Sequence, residues 1–153
     1  MIRENIYAKL FSLANTSAML TANGGLFGTI TRRPLNFDQY NSGDYPILGM
    51  VETTEKYIWP SGSATPPKAV LGAEFWIYIN YGEDKNILPS TYLNNCIDAL
   101  EAALNTSIIR PLQKQTLGNL VSDAYIEGEI KKAPGYTDGY GIGIIPITIL
   151  VPA

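Results

Sequence analysis

Histidine is absent from this sequence. That removes Ser-His-Asp and Cys-His nucleophilic catalysis, histidine-based metal sites and the commonest general base. Cys96 is the only cysteine, so neither a structural zinc site nor an internal disulfide is available. No GxxxxGK(S/T) phosphate loop occurs. The carboxylates left for chemistry are Glu127 and Glu129, two apart on an expected strand, with Glu74 as a further member. Such a pair suits acid–base work; a solvated acidic face is the plainer reading. Gly139, Gly141 and Gly143 alternate without the third glycine and following helix of a dinucleotide site. Every second position there lacks a side chain, which permits either a bend or a close packing contact. Cys96 falls beside the apolar stripe of an expected helix and reads as a core residue.

Two groups of residues suit recognition. Arg32-Arg33, near Phe27 and Tyr40, are a small basic–aromatic set of the kind that holds single-stranded nucleic acid. Ion pairing at a subunit contact is the other reading for two arginines in an acidic chain. Trp59 lies in a loop of Pro, Ser and Gly, and Trp76 and Tyr78 point away from the expected core face of their strand. Tryptophan and tyrosine dominate the energetics of protein interfaces. Helices covering that face within the monomer are the alternative.

The elements that must position these residues follow from periodicity. Ile2, Ile6, Leu10 and Leu13 recur at helical spacing and predict a helix ending near Asn15. Leu26 to Arg33 and Ile47 to Thr54 read as strands, separated by a polar loop and followed by a loop over 55–67. From Lys68 to Tyr81 apolar residues alternate: Ala69, Leu71, Ala73, Phe75, Ile77, Ile79. Period two over fourteen residues predicts a strand and assigns its core face. A turn at 82–86 precedes a helix opening at Pro89-Ser90-Thr91, with Leu93, Ile97, Leu100 and Leu104 on one stripe. Leu120 to Ile130 reads as a strand with Asp123, Tyr125, Glu127 and Glu129 on one face. Lys131 to Asp138 reads as a turn. Tyr140 to Val151 reads as a strand apolar on both faces, inside the sheet or against a partner. The expectation is a single α+β domain, residues 1–153: a mostly antiparallel sheet of about five strands with two helices packed on one face.

Composition narrows the partners. Charged residues make up 16%, below the usual quarter, while the chain has ten tyrosines, four phenylalanines and two tryptophans. Either partners cover much of the surface or Ser, Thr, Asn and Gly fill it. The net charge of −3 is unlike that of a nucleic-acid or anionic-membrane binder. Met1 to Leu13 lacks the apolar core of a signal peptide, and no run has the length of a membrane span. The expectation is a chain made in the cytoplasm.

The order of features resembles the tail terminator (tail completion) proteins of long-tailed bacteriophages. The likeness runs over nearly the whole chain. It includes the opening helix, the strand Phe27-Gly28-Thr29-Ile30-Thr31-Arg32-Arg33, and the proline-led strand Pro46-Ile47-Leu48-Gly49-Met50-Val51-Glu52. The strand through Phe75-Trp76-Ile77-Tyr78-Ile79 and the helix Leu93-Asn94-Asn95-Cys96-Ile97-Asp98-Ala99-Leu100 follow. The turn at Leu117-Gly118 and the closing strand Ile145-Pro146-Ile147-Thr148-Ile149-Leu150-Val151 weigh most. The resemblance implies a structural virion protein, not an enzyme, without cofactor or metal. It implies a homohexameric ring that caps the tail tube, stops its polymerisation and joins tail to head, with double-stranded DNA passing through. Its partners would be copies of itself, the tail tube protein and the head–tail connector or neck protein; its location would be the virion, after assembly in the host cytoplasm. On this reading Arg32, Arg33, Trp59, Trp76 and Tyr78 serve subunit contacts, and Asp123, Glu127 and Glu129 line the hole, where acidic groups repel DNA phosphates. A connector, neck or tube subunit of the same machinery is the close alternative. A small carboxylate-dependent enzyme or binding module is the more distant one, and it requires a concave pocket holding several acids.

Overall fold

A computed structural model describes residues 2–59, 68–82, 86–104, 114–136 and 139–152. The elements are helix α1 (Arg3–Ala14), strands β1 (Thr29–Thr31), β2 (Ile47–Ile58) and β3 (Lys68–Asn80), helix α2 (Pro89–Leu104), and strands β4 (Asp123–Ile126), β5 (Lys131–Ala133) and β6 (Tyr140–Val151). The sheet runs β1-β2-β3-β6-β4, with β5 also paired to β6. Every pairing is antiparallel except β1 with β2. This is the α+β architecture expected from the pattern. The expected loop over 55–67 and the turns at 82–86 and Lys131 to Asp138 fall partly outside the described residues.

One side of the sheet carries the core. Leu71, Phe75, Ile77 and Ile79 of β3 and Ile145 and Ile149 of β6 are fully buried there. They pack in one cluster with Ile6, Tyr7 and Leu10 of α1 and Leu93, Cys96, Leu100 and Leu104 of α2. Each such large side chain contributes roughly 1.5–3 kcal/mol through burial. The α2 stripe is the one its periodicity predicts. On α1 the buried stripe turns toward Tyr7 and Ala14, and Ile2 stays 66% exposed. At Gly141 a Cβ would stand 2.5 Å from the Pro134 carbonyl oxygen, and at Gly143 3.1 Å from Leu93 Cδ1. Gly141 and Gly143 therefore serve packing, admitting the Pro134 segment and α2, whereas Gly139, just ahead of β6, takes φ +80° and serves a bend.

Three expectations are corrected. The strand expected over Leu26 to Arg33 shrinks to Thr29–Thr31 and runs parallel to β2. The Phe27 side chain is buried in the core, and the chain at Gly28 is held by its N–H to the Pro46 carbonyl at 2.8 Å. The strand expected over Leu120 to Ile130 stops at Ile126, because Gly128 takes φ +101°, a backbone shape that ends an extended run. The ladder resumes at Lys131–Ala133, inside the expected turn. Finally, β2 extends to Ile58 past a bulge between Glu52 and Glu55.

The bulge sets both Thr53 and Thr54 against Gly72, and the Tyr7 hydroxyl donates to the Gly72 carbonyl at 3.2 Å. Burial, then the Glu52 and Glu55 carboxylates, push the Tyr7 pKa up to about 12. Burial, then Tyr140 and the other neighbouring tyrosines, push Tyr45 up to about 12 as well. An unfolded tyrosine titrates near 10. Both groups therefore favour the native state in full below pH ~10, and that stability is lost as pH rises through about 12. Urea unfolding at stepped pH is expected to show the native state weakening across that window, with a shallower fall in Tyr7→Phe.

Candidate interaction surface

The helices occupy one side of the sheet, and the other side is built from alternate residues of the same strands. On β3 these are Lys68, Val70, Gly72, Glu74, Trp76 and Tyr78; on β6 they include Ile142, Ile144, Pro146, Thr148 and Leu150. At the Tyr78 end the loop over 34–46 folds across this side. Phe37 stacks on Tyr78 with ring centroids 4.4 Å apart, and Tyr40 meets Tyr45 edge-on at 6.1 Å. The polar ends are satisfied locally: the Tyr45 hydroxyl donates to the Phe37 carbonyl at 2.9 Å, and the Leu35 N–H donates to the Tyr40 hydroxyl at 2.9 Å. The segment over 34–46, with short 3-10 turns at Phe37–Gln39 and Ser42–Asp44, therefore covers Tyr78, and neither α-helix does; Tyr78 is 5% exposed.

Beyond that loop no described helix or strand lies over the sheet; the turn at Gly128 approaches Pro146, and Gln115 approaches Asp123 at the β4 margin. Val70, Trp76, Ile144, Pro146, Thr148 and Leu150 are each half-buried. Side-chain neighbours shield them in part, but their outer surfaces face solvent. The Trp76 indole N–H donates to the Glu74 carboxylate at 3.2 Å. The doubly apolar pattern of the last strand thus serves the helices on one side and leaves a half-open strip on the other.

The remaining expected residues fall as follows. Trp59 is 73% exposed beyond the end of β2. Arg32 is engaged within the chain, hydrogen-bonded to Glu4 and, at 3.1 Å, to Glu52. Its ion pairs tie α1 to the β2 edge. Arg33 is exposed. With Phe27 in the core and Arg32 already paired, the basic–aromatic set does not assemble as a nucleic-acid platform. Asp123 is 8% exposed and accepts the Gln115 N–H at 3.2 Å. Glu127 and Glu129 are exposed in the segment between β4 and β5. The three acids therefore do not form one row, because the break at Gly128 takes the two glutamates off the strand. Among the described residues no group of three or more His, Cys, Asp or Glu could hold a metal ion, and no helix is long and apolar enough to cross a membrane.

Cys96 is fully buried on α2, and burial pushes its thiol up to about 12. The thiolate is the nucleophile, so the native thiol is expected to resist aromatic disulfide reagents at mildly alkaline pH and to react promptly in denaturant. Rapid reaction in the native state would contradict this placement.

Several exposed apolar residues escaped the periodicity reading. Tyr57 (48%) and Ile58 (46%) sit beside Trp59 at one end of the sheet. Ile87 (38%), Leu88 (58%) and Tyr136 (65%) sit at the other, where β3 ends and β6 begins. The signal was an apolar pair, Ile87-Leu88, just ahead of a helix start. It belongs to neither a strand alternation nor the helical stripe. No protein-family model matches the chain, and no curated protein sequence matches it.

Proposed function

We propose that this chain is a structural subunit that closes with copies of itself into a ring, and that the ring caps a phage tail tube and joins it to the head. The observation that carries the self-assembly part is a group of exposed apolar side chains at each end of β3. Tyr57, Ile58 and Trp59 stand at one end; Ile87, Leu88 and Tyr136 stand at the other. The thirteen residues of β3 separate these ends by roughly 40 Å. Ring closure uses a head-to-tail interface, so each subunit must offer two different patches. Two unlike apolar patches at opposite ends meet that requirement, and aromatic anchors suit it energetically. The terminator assignment rests on the family resemblance; a connector or tube subunit would use the same two patches.

Light scattering and electron microscopy of the purified chain test the reading. The expected result is a closed ring, sixfold for a terminator, that binds the end of a purified tail tube. Open-ended tubes would move the assignment to a tube subunit, and a monomer indifferent to tail tubes would end it. The paired change Trp59→Ser with Leu88→Ser removes one anchor from each patch and is expected to dissolve the ring while leaving the circular dichroism spectrum intact. Within the ring, Glu127 and Glu129 remain the candidates for the hole, whereas Asp123 is withdrawn because it is buried. Glu127→Gln with Glu129→Gln is expected to slow DNA ejection; an unchanged rate would remove them from that role.

A further inference from the structure

The helix-free side of the sheet is ordered along its length in a way that the two end patches do not use. Lys56, Lys68 and Val70 share one end of it, with Lys56 paired to Val70 and no described element above them. The middle is the half-buried strip of Trp76, Ile144, Pro146 and Thr148. The other end is raised by the loop over 34–46, which brings Asp38, exposed, and Asp44, half-buried. Among the described residues the side therefore runs from basic at Lys56 and Lys68, with the buried Asp123 at the β4 margin, through apolar, to raised and acidic.

From this we infer that two copies of the chain pack through their helix-free sides about a two-fold axis lying between the sheets and perpendicular to the strands. Such an axis reverses strand direction and keeps strand order. It sets the basic end of each copy under the raised acidic loop of the other, twice over, as an isologous contact demands. The lateral strands obey the same operation. β4 and β5 lie at opposite ends of β6, at Ile147–Leu150 and Ile142–Ile144, so Lys131 on β5 faces Tyr125 and the Glu127 segment of the other copy. The available extent fits a stable pair. About 33 Å of β3 by about 19 Å across four strands gives about 600 Å² per copy, or about 1,200 Å² together, the lower bound of standard interfaces. Glu74 lies near the axis, where it approaches its own copy, so that carboxylate opposes the pairing. The pair does not depend on ring closure; where subunits also close into rings, the same contact joins two rings.

Native mass spectrometry and light scattering of the full chain decide it. The wild-type chain is expected to show even-numbered assemblies. Ile144→Glu, on the half-exposed surface, is expected to halve the mass with an unchanged circular dichroism spectrum. Lys56→Glu with Lys68→Glu, and separately Asp38→Lys, are each expected to weaken the pair at least about tenfold, since like charges then oppose one another at both ends. Mixing these two variants is expected to restore a mixed pair that neither forms alone. Glu74→Gln is expected to tighten the wild-type pair. Odd-numbered or monomeric wild-type protein at high concentration, full mass retained by a folded Ile144→Glu chain, or a mixture no tighter than its components would each overturn the pairing.

Discussion

Phe75→Ala is expected to cost about 3–5 kcal/mol, a large part of the total stability of a chain this size. Phe75 is fully buried at the centre of β3, opposite Met50 on β2 and Ile145 on β6. Its ring lies in the cluster shared by the sheet and both helices. Removing it takes away the transfer energy of the ring and leaves a void that neighbours on two flanking strands cannot close without breaking their ladder. Calorimetry is expected to show the midpoint falling by roughly 10–20 °C. A drop of only a few degrees would mean that the helices settle into the space and that the core is looser than this packing describes. Phe75→Leu, which keeps more of the volume, is expected to lose clearly less.

The second large effect is steric. Gly141→Ala is expected to destabilise by about 1–3 kcal/mol, and Gly141→Val by more. The added Cβ would meet the Pro134 carbonyl oxygen at 2.5 Å and Ile79 Cγ1 at 2.7 Å. The first is backbone and the second a fully buried side chain, so neither gives way without moving β5 or the core. Backbone strain is not the cause, because Gly141 lies within the extended strand β6. Denaturant titration is expected to show a lower midpoint, and hydrogen exchange is expected to show faster exchange in β5 than elsewhere. Uniform loss of protection would assign the damage to the whole core instead.

The long elements were legible because their signals are redundant. The alternation from Ala69 to Ile79 specifies β3 many times over, and β6 keeps the bounds its pattern predicts. The stripe from Leu93 to Leu104 repeats over about three turns of α2. Short pieces lacked that redundancy. Thr29–Thr31 is a strand only because the chain at Gly28 is tied to Pro46, fifteen or more residues downstream. Lys131–Ala133 is one only because β6 lies beside it. The surface was legible by half. That the second face of β6 is apolar could be read; that Phe37 and Tyr45 would close over Tyr78 could not, since this depends on contacts made across the fold. Asp123 misled for a related reason. Its alternation with Tyr125 was real, but the Gln115 N–H that rewards its burial belongs to another segment. The bend-or-packing choice at the β6 glycines was open in the residues and is settled by what stands against them.

Thr53 and Thr54 put one extra residue into β2 at the bulge. A chain shortened by either threonine would keep every other pair of β2 and β3 in step, since Glu52 already faces Ala73 and Glu55 already faces Leu71. Strand pairing alone therefore does not require it. Since β1 accompanies only Ile47, Leu48 and Gly49, the kink falls where β2 runs on without β1 beside it. Straightened, that stretch would offer an unbroken row of amides and carbonyls to any passing chain, the template on which fibres grow. The irregularity breaks that row and bends the strand away from such pairing.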